Sequence, residues 1–228
     1  MSGRPSAGLE PPARAALQTV LDLLARERAS VSSVTESDRA WMVHVDDSLT
    51  GLEVEGLREA LRIADIGSGA GFPGLVLAVA LPGAAVSLVE SVGRKCDFMR
   101  RAAQAAGIVN AEIVNARSEE LAGGPGREAF DAVTARAVGR LSTLAELASP
   151  LLRDGGTLVA WKGRRDPEEE AELERAADSL AMTPERILAV GPYAGSRHRH
   201  LHVLRKSGAT PADLPRRPGM AKKRPRGS

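Results

Sequence analysis

Residues 63–75 read I-A-D-I-G-S-G-A-G-F-P-G-L, a short apolar run with one acid, followed by four glycines within eight residues. A glycine-rich turn after a strand lets the backbone approach a bound cofactor closely. The spacing of Gly69, Gly71 and Gly74 fits the dinucleotide motif G-x-G-x-x-G. Counted from Asp65, the same residues have the form D-x-G-x-G-x-G, which is typical of a loop that binds S-adenosylmethionine. The stretch therefore predicts a cofactor site and leaves two cofactor classes open.

Short β-type runs alternate with helical segments on both sides of this loop. The predicted strands are 61–66, 85–90, 111–116, 130–137 and 157–162, and the predicted helices are 73–81, 94–106, 141–148 and 167–181. Two further runs, 186–190 and 199–205, can close the sheet. This alternation indicates an α/β fold with a parallel, doubly wound sheet, in which ligands bind beyond the carboxyl ends of the strands.

The 228 residues divide into three predicted parts. Residues 1–58 form an N-terminal helical extension, because apolar side chains recur at helical spacing along 10–29 and again around Trp41, Val45 and Leu49. Residues 59–206 form the cofactor-binding domain. Residues 207–228 are rich in Pro, Gly and basic residues, and we predict a disordered tail.

The charge of the chain is uneven. Residues 205–228 contain eight Lys or Arg and one acid, hence +7, although the whole chain carries only +2; the remaining residues, with 23 bases and 28 acids, carry −5. The tail is therefore predicted to tether RNA through its phosphates, and a solubilising end without a partner is the alternative. The sequence shows no run long enough to span a membrane, no signal peptide and a single cysteine, Cys96. We expect a cytoplasmic protein and a monomer.

Two acids bear on the choice of cofactor. An acid immediately before the loop, Asp65, would repel the pyrophosphate of a dinucleotide, whereas S-adenosylmethionine has cationic groups and no phosphate. Glu90 ends the second predicted strand, where a carboxylate accepts hydrogen bonds from a ribose diol. Both cofactor types contain that diol, so Glu90 supports nucleoside binding without separating them. Asp65 favours S-adenosylmethionine.

Several motifs together resemble those of one family. D-I-G-S-G-A-G-F-P-G, V-E-S-V-G-R-K, A-R-S-E-E-L, F-D-A-V-T-A-R-A, L-V-A-W-K-G and R-H-L-H-V-L-R-K follow one another in order, with V-H-V-D-D-S at 43–48 upstream. The chain resembles, over about residues 15–206, the bacterial small-subunit ribosomal RNA guanine-N7 methyltransferases, the glucose-inhibited division protein B family. One departure is Asp46, where an apolar residue is expected before Asp47.

The resemblance implies a class I S-adenosylmethionine-dependent methyltransferase with a Rossmann-like fold, which methylates N7 of one guanine in 16S ribosomal RNA. By position in the motifs, Gly67 and Phe72 would line the cofactor pocket and Glu90 would hold the ribose. Ser118 and Glu119 would meet the adenine edge. Free 16S RNA and the small ribosomal subunit both remain open as the partner.

The expected chemistry needs no general base, because guanine N7 has an exposed lone pair at neutral pH. Catalysis then depends on positioning and electrostatics. Arg136, after the fourth strand, is the first candidate for contact with cofactor, base or phosphate. Lys162, after the fifth strand, and His44, from the extension, are further candidates.

Other chemistries are less favoured. The chain has T-A-R-A where amine methyltransferases have Asn/Asp-Pro-Pro-aromatic, and Cys96 lies inside a predicted helix rather than near the substrate. His198, His200 and His202 alternate without a completing ligand set, so we expect no metal site. The acids of 168–174 are predicted to form a solvated helix face. A methyltransferase acting on another RNA, a protein or a small molecule, and a non-catalytic RNA-binding assembly factor, remain alternatives.

Overall fold

The computed structural model describes residues 4–27 and 37–227, except for the side chain of Ser37. Its α-helices are α1 (Pro11–Arg26), α2 (Ser37–Ala40), α3 (Asp47–Leu49), α4 (Glu55–Arg58), α5 (Gly74–Ala80), α6 (Gly93–Ala105), α7 (Ser118–Ala122), α8 (Leu141–Ala148), α9 (Pro167–Ala177) and α10 (Met220–Lys223). Its strands are β1 (Arg62–Ile66), β2 (Ala85–Glu90), β3 (Ala111–Asn115), β4 (Phe130–Arg136), β5 (Leu152–Lys162), β6 (Met182–Ala189) and β7 (His200–Lys206). A π-helical segment, Trp41–Asp46, joins α2 to α3.

Within the described residues, the strands form one seven-stranded sheet in the order β3-β2-β1-β4-β5-β7-β6. The first five strands in the chain pair in parallel, which confirms the α/β fold and brings the ends of β1, β2 and β4 to one edge. β7 runs antiparallel to both β5 and β6, so the sheet is mixed rather than wholly parallel. The link between β6 and β7 is too short for a parallel crossover, which needs a dozen or more residues.

Side chains of the central strands alternate between two apolar layers, as the period of two in a strand requires. In β1, Ile63 packs with the helices α1, α5 and α6, whereas Ala64 and Ile66 pack with α8 and α9. In β5, Val159 and Trp161 belong to the first layer. The sheet is therefore covered on both faces, and its carboxyl edge is left for a ligand.

The N-terminal extension belongs to the first of these layers. The apolar stripe of α1 is buried, and so are Trp41, Val45 and Leu49 in the second helical region. Trp161 Nε1 donates to the Asp47 carbonyl at 2.8 Å, which fixes α3 against the end of β5. This packing carries residues 43–47 to the ligand-binding edge.

The C-terminal segment, defined here as residues 207–227, differs from the predicted disordered tail. Leu214 and Ala221 are buried, and Arg216 makes two hydrogen bonds to Glu146 on α8. The composition predicted disorder because it is rich in Pro, Gly and charge. These apolar side chains and the ion pair instead hold the segment on the face formed by α7, α8 and α9.

Candidate active site

The glycine loop follows β1 at the carboxyl edge, as predicted. Gly67 and Ser68 donate their N–H groups to the Val89 carbonyl at 2.8 and 3.2 Å, so the loop turns against the end of β2. Gly67 has φ +66°, and a Cβ there would lie 2.7 Å from a methyl carbon of Val138. Gly71 closes the next turn by donating to the Ser68 carbonyl at 2.8 Å. A residue with a side chain at position 67 would be strained and would collide with the segment after β4.

Asp65 lies beneath this loop. It is fully buried, and its carboxylate accepts hydrogen bonds from the Gly74 N–H at 3.1 Å and from the Thr134 hydroxyl at 2.9 Å. Burial raises the pKa of Asp65 to about 6, although these hydrogen bonds and the charge of Arg136 oppose the rise. Asp65 does not line the cavity described next. In the structure Asp65 therefore supports the loop, and the prediction that it binds the cofactor stays a prediction.

A cavity of about 340 Å³ opens above the loop, within the roughly 300–1,000 Å³ usual for small-molecule sites. We call it the first cavity. Gly67, Glu90, Ser118, Glu119 and Val138 all line it. The connections that follow all four strands β1 to β4 thus meet here.

Among the described residues, Glu90 is one of two acids that line the first cavity. Its two carboxylate oxygens accept from the Gly69 N–H at 3.1 Å and the Val92 N–H at 2.9 Å, and Lys95 Nζ lies 3.8 Å away. Each oxygen keeps a lone pair for a further donor. The carboxylate is thus fixed at the cavity wall with acceptor capacity for a hydroxyl donor, which is the chemistry that a ribose diol would use.

Ser118 and Glu119 begin α7 and also line the first cavity. Glu119 Oε1 accepts the Gly219 N–H of the C-terminal segment at 2.7 Å. Gly219, Ala221, Lys222 and Lys223 line the same cavity. The sequence had placed the tail outside the site, so its presence in the cavity wall was not predicted.

A second cavity, of about 210 Å³, lies beside the segment that follows β4. Ala137 and Gly139 line this cavity, whereas Val138 between them lines the first. Ala137 has φ +59°, a backbone conformation that is uncommon for a residue other than glycine. Arg136 and Lys162, two of the predicted catalytic residues, line the second cavity. Two cavities therefore adjoin at one short segment.

Arg136 is held by the N-terminal extension. Its Nη1 donates to the Val43 carbonyl at 2.9 Å and to Asp47 Oδ2 at 3.1 Å, and its Nη2 lies 3.2 Å from His44 Nδ1. Asp47 is buried and lines the second cavity. Its Oδ1 makes no hydrogen bond among the described residues. The second cavity is thus lined by a fixed cation and by a carboxylate, one oxygen of which is buried without a hydrogen-bond partner among the described residues.

His44 and Phe72 complete this cluster without lining either cavity. Their rings stack at 4.4 Å with an angle of 18°, and the Arg136 guanidinium carbon lies 5.8 Å from the Phe72 ring centre. A guanidinium only donates, so His44 Nδ1 accepts in its contact with Arg136. Phe72 therefore positions Arg136 and His44, whereas the sequence placed it in the cofactor pocket.

Lys162 is fixed by its neighbours as well. Its Nζ donates to Glu169 Oε1 at 2.6 Å and to the Gly139 carbonyl at 3.0 Å. Glu169 and Glu172 of α9 are buried against α8, so the predicted solvated acidic face is wrong at these two positions. Lys162 thus presents a neutralised cation to the second cavity.

The remaining candidates lie outside the two cavities or serve other contacts. Cys96 is buried and donates to the Glu90 carbonyl, and burial raises the pKa of its thiol. His200 lines the second cavity and contacts the Gly163 carbonyl at 2.8 Å. In the parts of the chain that the structure describes, no group of His, Cys, Asp and Glu could hold a metal ion. Over those residues, no helix is long and apolar enough to cross a membrane.

Comparison with known proteins gives consistent matches over most of the chain. The model of the family described as GidB, rRNA small subunit methyltransferase G, matches residues 15–201. The ribosomal RNA small subunit methyltransferase G of Rubrobacter xylanophilus is 43% identical over 203 residues, which cover 87% of this chain and 77% of that protein. The protein of the same name from Desulfitobacterium hafniense is 38% identical over 200 residues, covering 87% and 82%.

Solved structures agree with the fold. A protein from Agrobacterium tumefaciens, described as a predicted O-methyltransferase, superposes with a TM-score of 0.55 at 26% identity, covering 72% of this chain and 80% of that one. A SAM-dependent O-methyltransferase from Thermotoga maritima gives a TM-score of 0.58 at 15% identity, covering 83% and 71%. The second match concerns the fold alone.

Proposed function

The chain belongs to the rRNA small subunit methyltransferase G family, and on that premise we propose that it methylates N7 of a guanine in 16S ribosomal RNA with S-adenosylmethionine as the methyl donor. The assignment of the two sites rests mainly on one observation: the two cavities adjoin at residues 137–139. One cavity fits a nucleoside, and the other presents fixed cations to a base. This is the arrangement that methyl transfer between two bound molecules requires.

The first cavity is proposed as the cofactor site. Glu90 would hold the ribose, Ser118 and Glu119 would face the adenine, and the backbone at Gly67 and Gly69 would approach the cofactor closely. S-adenosylmethionine supplies an activated methyl group on a sulfonium. Asp65 and Gly71 would act through the shape of the loop, since their contacts lie within it.

The second cavity is proposed as the guanine site. Asp47, which lines this cavity, would accept through its carboxylate from the N1–H and amino group of guanine, which adenine lacks at those positions, and would so favour guanine. Arg136 and Lys162 would contact the O6 edge or a flanking phosphate. His44 would act by holding Arg136, not by removing a proton, because N7 has none to lose.

The transfer leaves a positive charge on the guanine imidazole ring and releases S-adenosylhomocysteine. The sulfur–methyl bond breaks as the nitrogen–methyl bond forms, so charge is conserved and no base takes part. Asp47 stands beside the second cavity, where a carboxylate stabilises the charge that appears on the base. The residues around N7 thus need only to position the base and to stabilise its new charge. Their fixed geometry suits this role.

The proposed partner is 16S RNA or the small ribosomal subunit in the cytoplasm, bound by a monomer. Within the C-terminal segment, Arg217, Lys222, Lys223 and Arg224 are exposed, and no side-chain hydrogen bond or ion pair ties them to another described residue. These four residues are the proposed phosphate contacts of the tail. Their contribution to RNA binding would weaken with added salt.

The proposal is tested by methyl transfer from labelled S-adenosylmethionine to small-subunit RNA, followed by mapping of the modified nucleotide. We expect one labelled guanine, with the strand cleaved there by borohydride and aniline because N7 methylation opens the ring to these reagents. Arg136→Gln is expected to lower kcat/KM by about 100-fold, the usual cost of losing a positioned charge at the reacting group. Arg140→Gln removes an arginine that lines neither cavity and pairs with Glu172, and it is the matched control.

A transcript made with 7-deazaguanosine provides the chemical control, since it keeps every other edge of guanine and lacks N7. No methyl group should enter this RNA. Incorporation at an unchanged rate would contradict N7 as the acceptor. Incorporation into RNase-treated samples would instead identify a protein or small-molecule substrate.

A further inference from the structure

The C-terminal segment forms one wall of the first cavity. Gly219, Ala221, Lys222 and Lys223 line it together with Glu90. The family model ends at residue 201, so this wall comes from a part of the chain that the family match does not include. The contribution of these residues has to be inferred from their contacts.

Two anchors seat the segment on the protein. Arg216 donates from Nε and Nη2 to the two carboxylate oxygens of Glu146 at 2.6 and 2.5 Å, and Glu146 is only 3% exposed. Before this pair, the buried side chain of Leu214 packs with the layer around α8, and Arg127 donates to the Leu214 carbonyl at 3.0 Å. A bidentate pair with a buried carboxylate has a defined geometry, so it fixes the segment rather than merely attracting it.

Beyond Arg216, the segment contacts two residues of the cavity itself. The Gly219 N–H donates to Glu119 Oε1 at 2.7 Å, and the Thr143 hydroxyl donates to the Ala221 carbonyl at 3.3 Å. Glu119 and Thr143 both line the cavity. The backbone of the segment therefore orients a carboxylate that lines the first cavity.

We propose that the C-terminal segment forms part of the cofactor site. When it is seated, that is, held in place by the pair of Arg216 with Glu146, the segment closes the cavity beside Glu119. It thereby strengthens the binding of S-adenosylmethionine and of its product. The inference rests on the proposed function, since it concerns the same cofactor. Thermodynamic linkage makes the effect reciprocal: if the seated segment tightens cofactor binding, the cofactor stabilises the seated segment by the same factor.

The neighbouring residues Arg216 and Arg217 allow this role to be separated from the charge of the tail. Arg217 is exposed, and its side chain makes no hydrogen bond or ion pair with another described residue. Arg216→Gln and Arg217→Gln each remove one positive charge from the same segment. Only the first breaks the anchor to Glu146.

The experiment is calorimetric titration of the full chain with S-adenosylhomocysteine, using wild type, Arg216→Gln and Arg217→Gln. We expect the Kd of Arg216→Gln to rise about tenfold, within the range of ordinary coupling between sites, while Arg217→Gln binds as wild type does. Glu146→Gln breaks the same pair from the side of α8 and should give the same loss as Arg216→Gln. Agreement between these two variants guards against a local folding defect in either.

Hydrogen exchange gives the reciprocal readout. Backbone amides of 217–224 should exchange more slowly in wild type when S-adenosylhomocysteine is bound, and Arg216→Gln should reduce that protection. Equal Kd values for wild type and Arg216→Gln would overturn the inference and leave the proposed function intact. Tighter binding by Arg216→Gln would also overturn it, because the segment would then compete with the cofactor. Failure of wild type to bind would contradict the proposed function itself, and the inference with it.

Discussion

Replacement of Asp65 by Asn separates the two roles considered for this residue. The amide oxygen of Asn can accept the Gly74 N–H, and its NH₂ can donate to the Thr134 hydroxyl oxygen once that hydroxyl rotates. The variant therefore keeps the shape and both hydrogen bonds of the native side chain. What it removes is the negative charge beneath the loop.

The expected effect on stability follows from the pKa of this carboxyl group. Burial raises the pKa of Asp65 from 3.8 to about 6, so the folded protein holds the proton more tightly than the unfolded chain does. Stability falls as the pH rises from 3.8 to 6 and remains reduced above pH 6. At 1.36 kcal/mol per pH unit, the reduction in the free energy of unfolding is about 3 kcal/mol.

We therefore expect Asp65→Asn to be more stable than wild type by up to about 3 kcal/mol at pH 8, with a much smaller difference near pH 4.5. Urea unfolding followed by the fluorescence of the buried Trp41 and Trp161 measures both values. Asp131→Asn is the control of opposite sign. Burial opposes the shift, but hydrogen bonds from Arg153 and from backbone N–H groups hold the pKa of Asp131 below its usual range. Asp131→Asn should therefore lose stability at pH 8.

Cofactor binding supplies the second readout for Asp65→Asn. Because Asp65 does not line the first cavity, its Asn variant should bind S-adenosylhomocysteine with a Kd close to that of wild type. The reasoning is refuted if Asp65→Asn is less stable than wild type at pH 8 and also loses affinity. That result would mean that the negative charge acts on the cofactor, as the sequence alone predicted.

Two further substitutions test the walls of the cavities. Glu90→Gln keeps one acceptor but turns its NH₂ toward the N–H of Gly69 or Val92; we expect calorimetry to show a loss of about 2 kcal/mol in S-adenosylhomocysteine binding, roughly 30-fold in Kd. Unchanged affinity would exclude Glu90 as the ribose acceptor. Asp47→Asn removes the charge that holds Arg136, so kcat for RNA methylation should fall about tenfold while the cofactor Kd stays constant. A joint loss of kcat and cofactor affinity would argue that Asp47 acts on the first cavity instead.

Much of the fold could be predicted because the spacing of apolar residues along the chain indicates whether a segment forms a strand or a helix. The predicted strand 85–90 agrees in both bounds with β2. The start of β5 could not be predicted, because Gly155 and Gly156 are typical of a turn, whereas in the structure they lie inside the strand and Gly155 takes φ +72° there. Glycine tolerates both environments, so the local signal is ambiguous and pairing with neighbouring strands decides.

The glycine loop could be recognised from the sequence, but the roles of some of its residues could not. Phe72 was expected to line the cofactor pocket, yet its ring stacks on His44 and lies beneath the Arg136 guanidinium. Gly74 is required by packing, since a Cβ there would lie 2.7 Å from Leu88 and 2.8 Å from the Asp65 carboxylate. Phe72 and Gly74 therefore serve the packing of the loop against its neighbours.

Contacts between distant parts of the chain could not be predicted from the sequence. The pair of Arg136 with Asp47 joins residues 89 positions apart, and the pair of Arg216 with Glu146 joins residues 70 positions apart. Neither spacing has a local signature, because each depends on how the layers pack over the sheet. The composition of residues 207–228 described their polarity correctly but not the few buried side chains that hold them.

The contacts of Arg136 with the N-terminal extension have a consequence for the entropy of binding. A free arginine side chain has roughly 2 kcal/mol of rotamer entropy to lose when it is immobilised. Here Val43, Asp47 and His44 immobilise Arg136 as the protein folds. This entropy is therefore lost during folding and not during RNA binding, because Arg136 is already immobilised before the substrate binds. The N-terminal extension would thus raise the affinity for the base by holding Arg136 in place before binding.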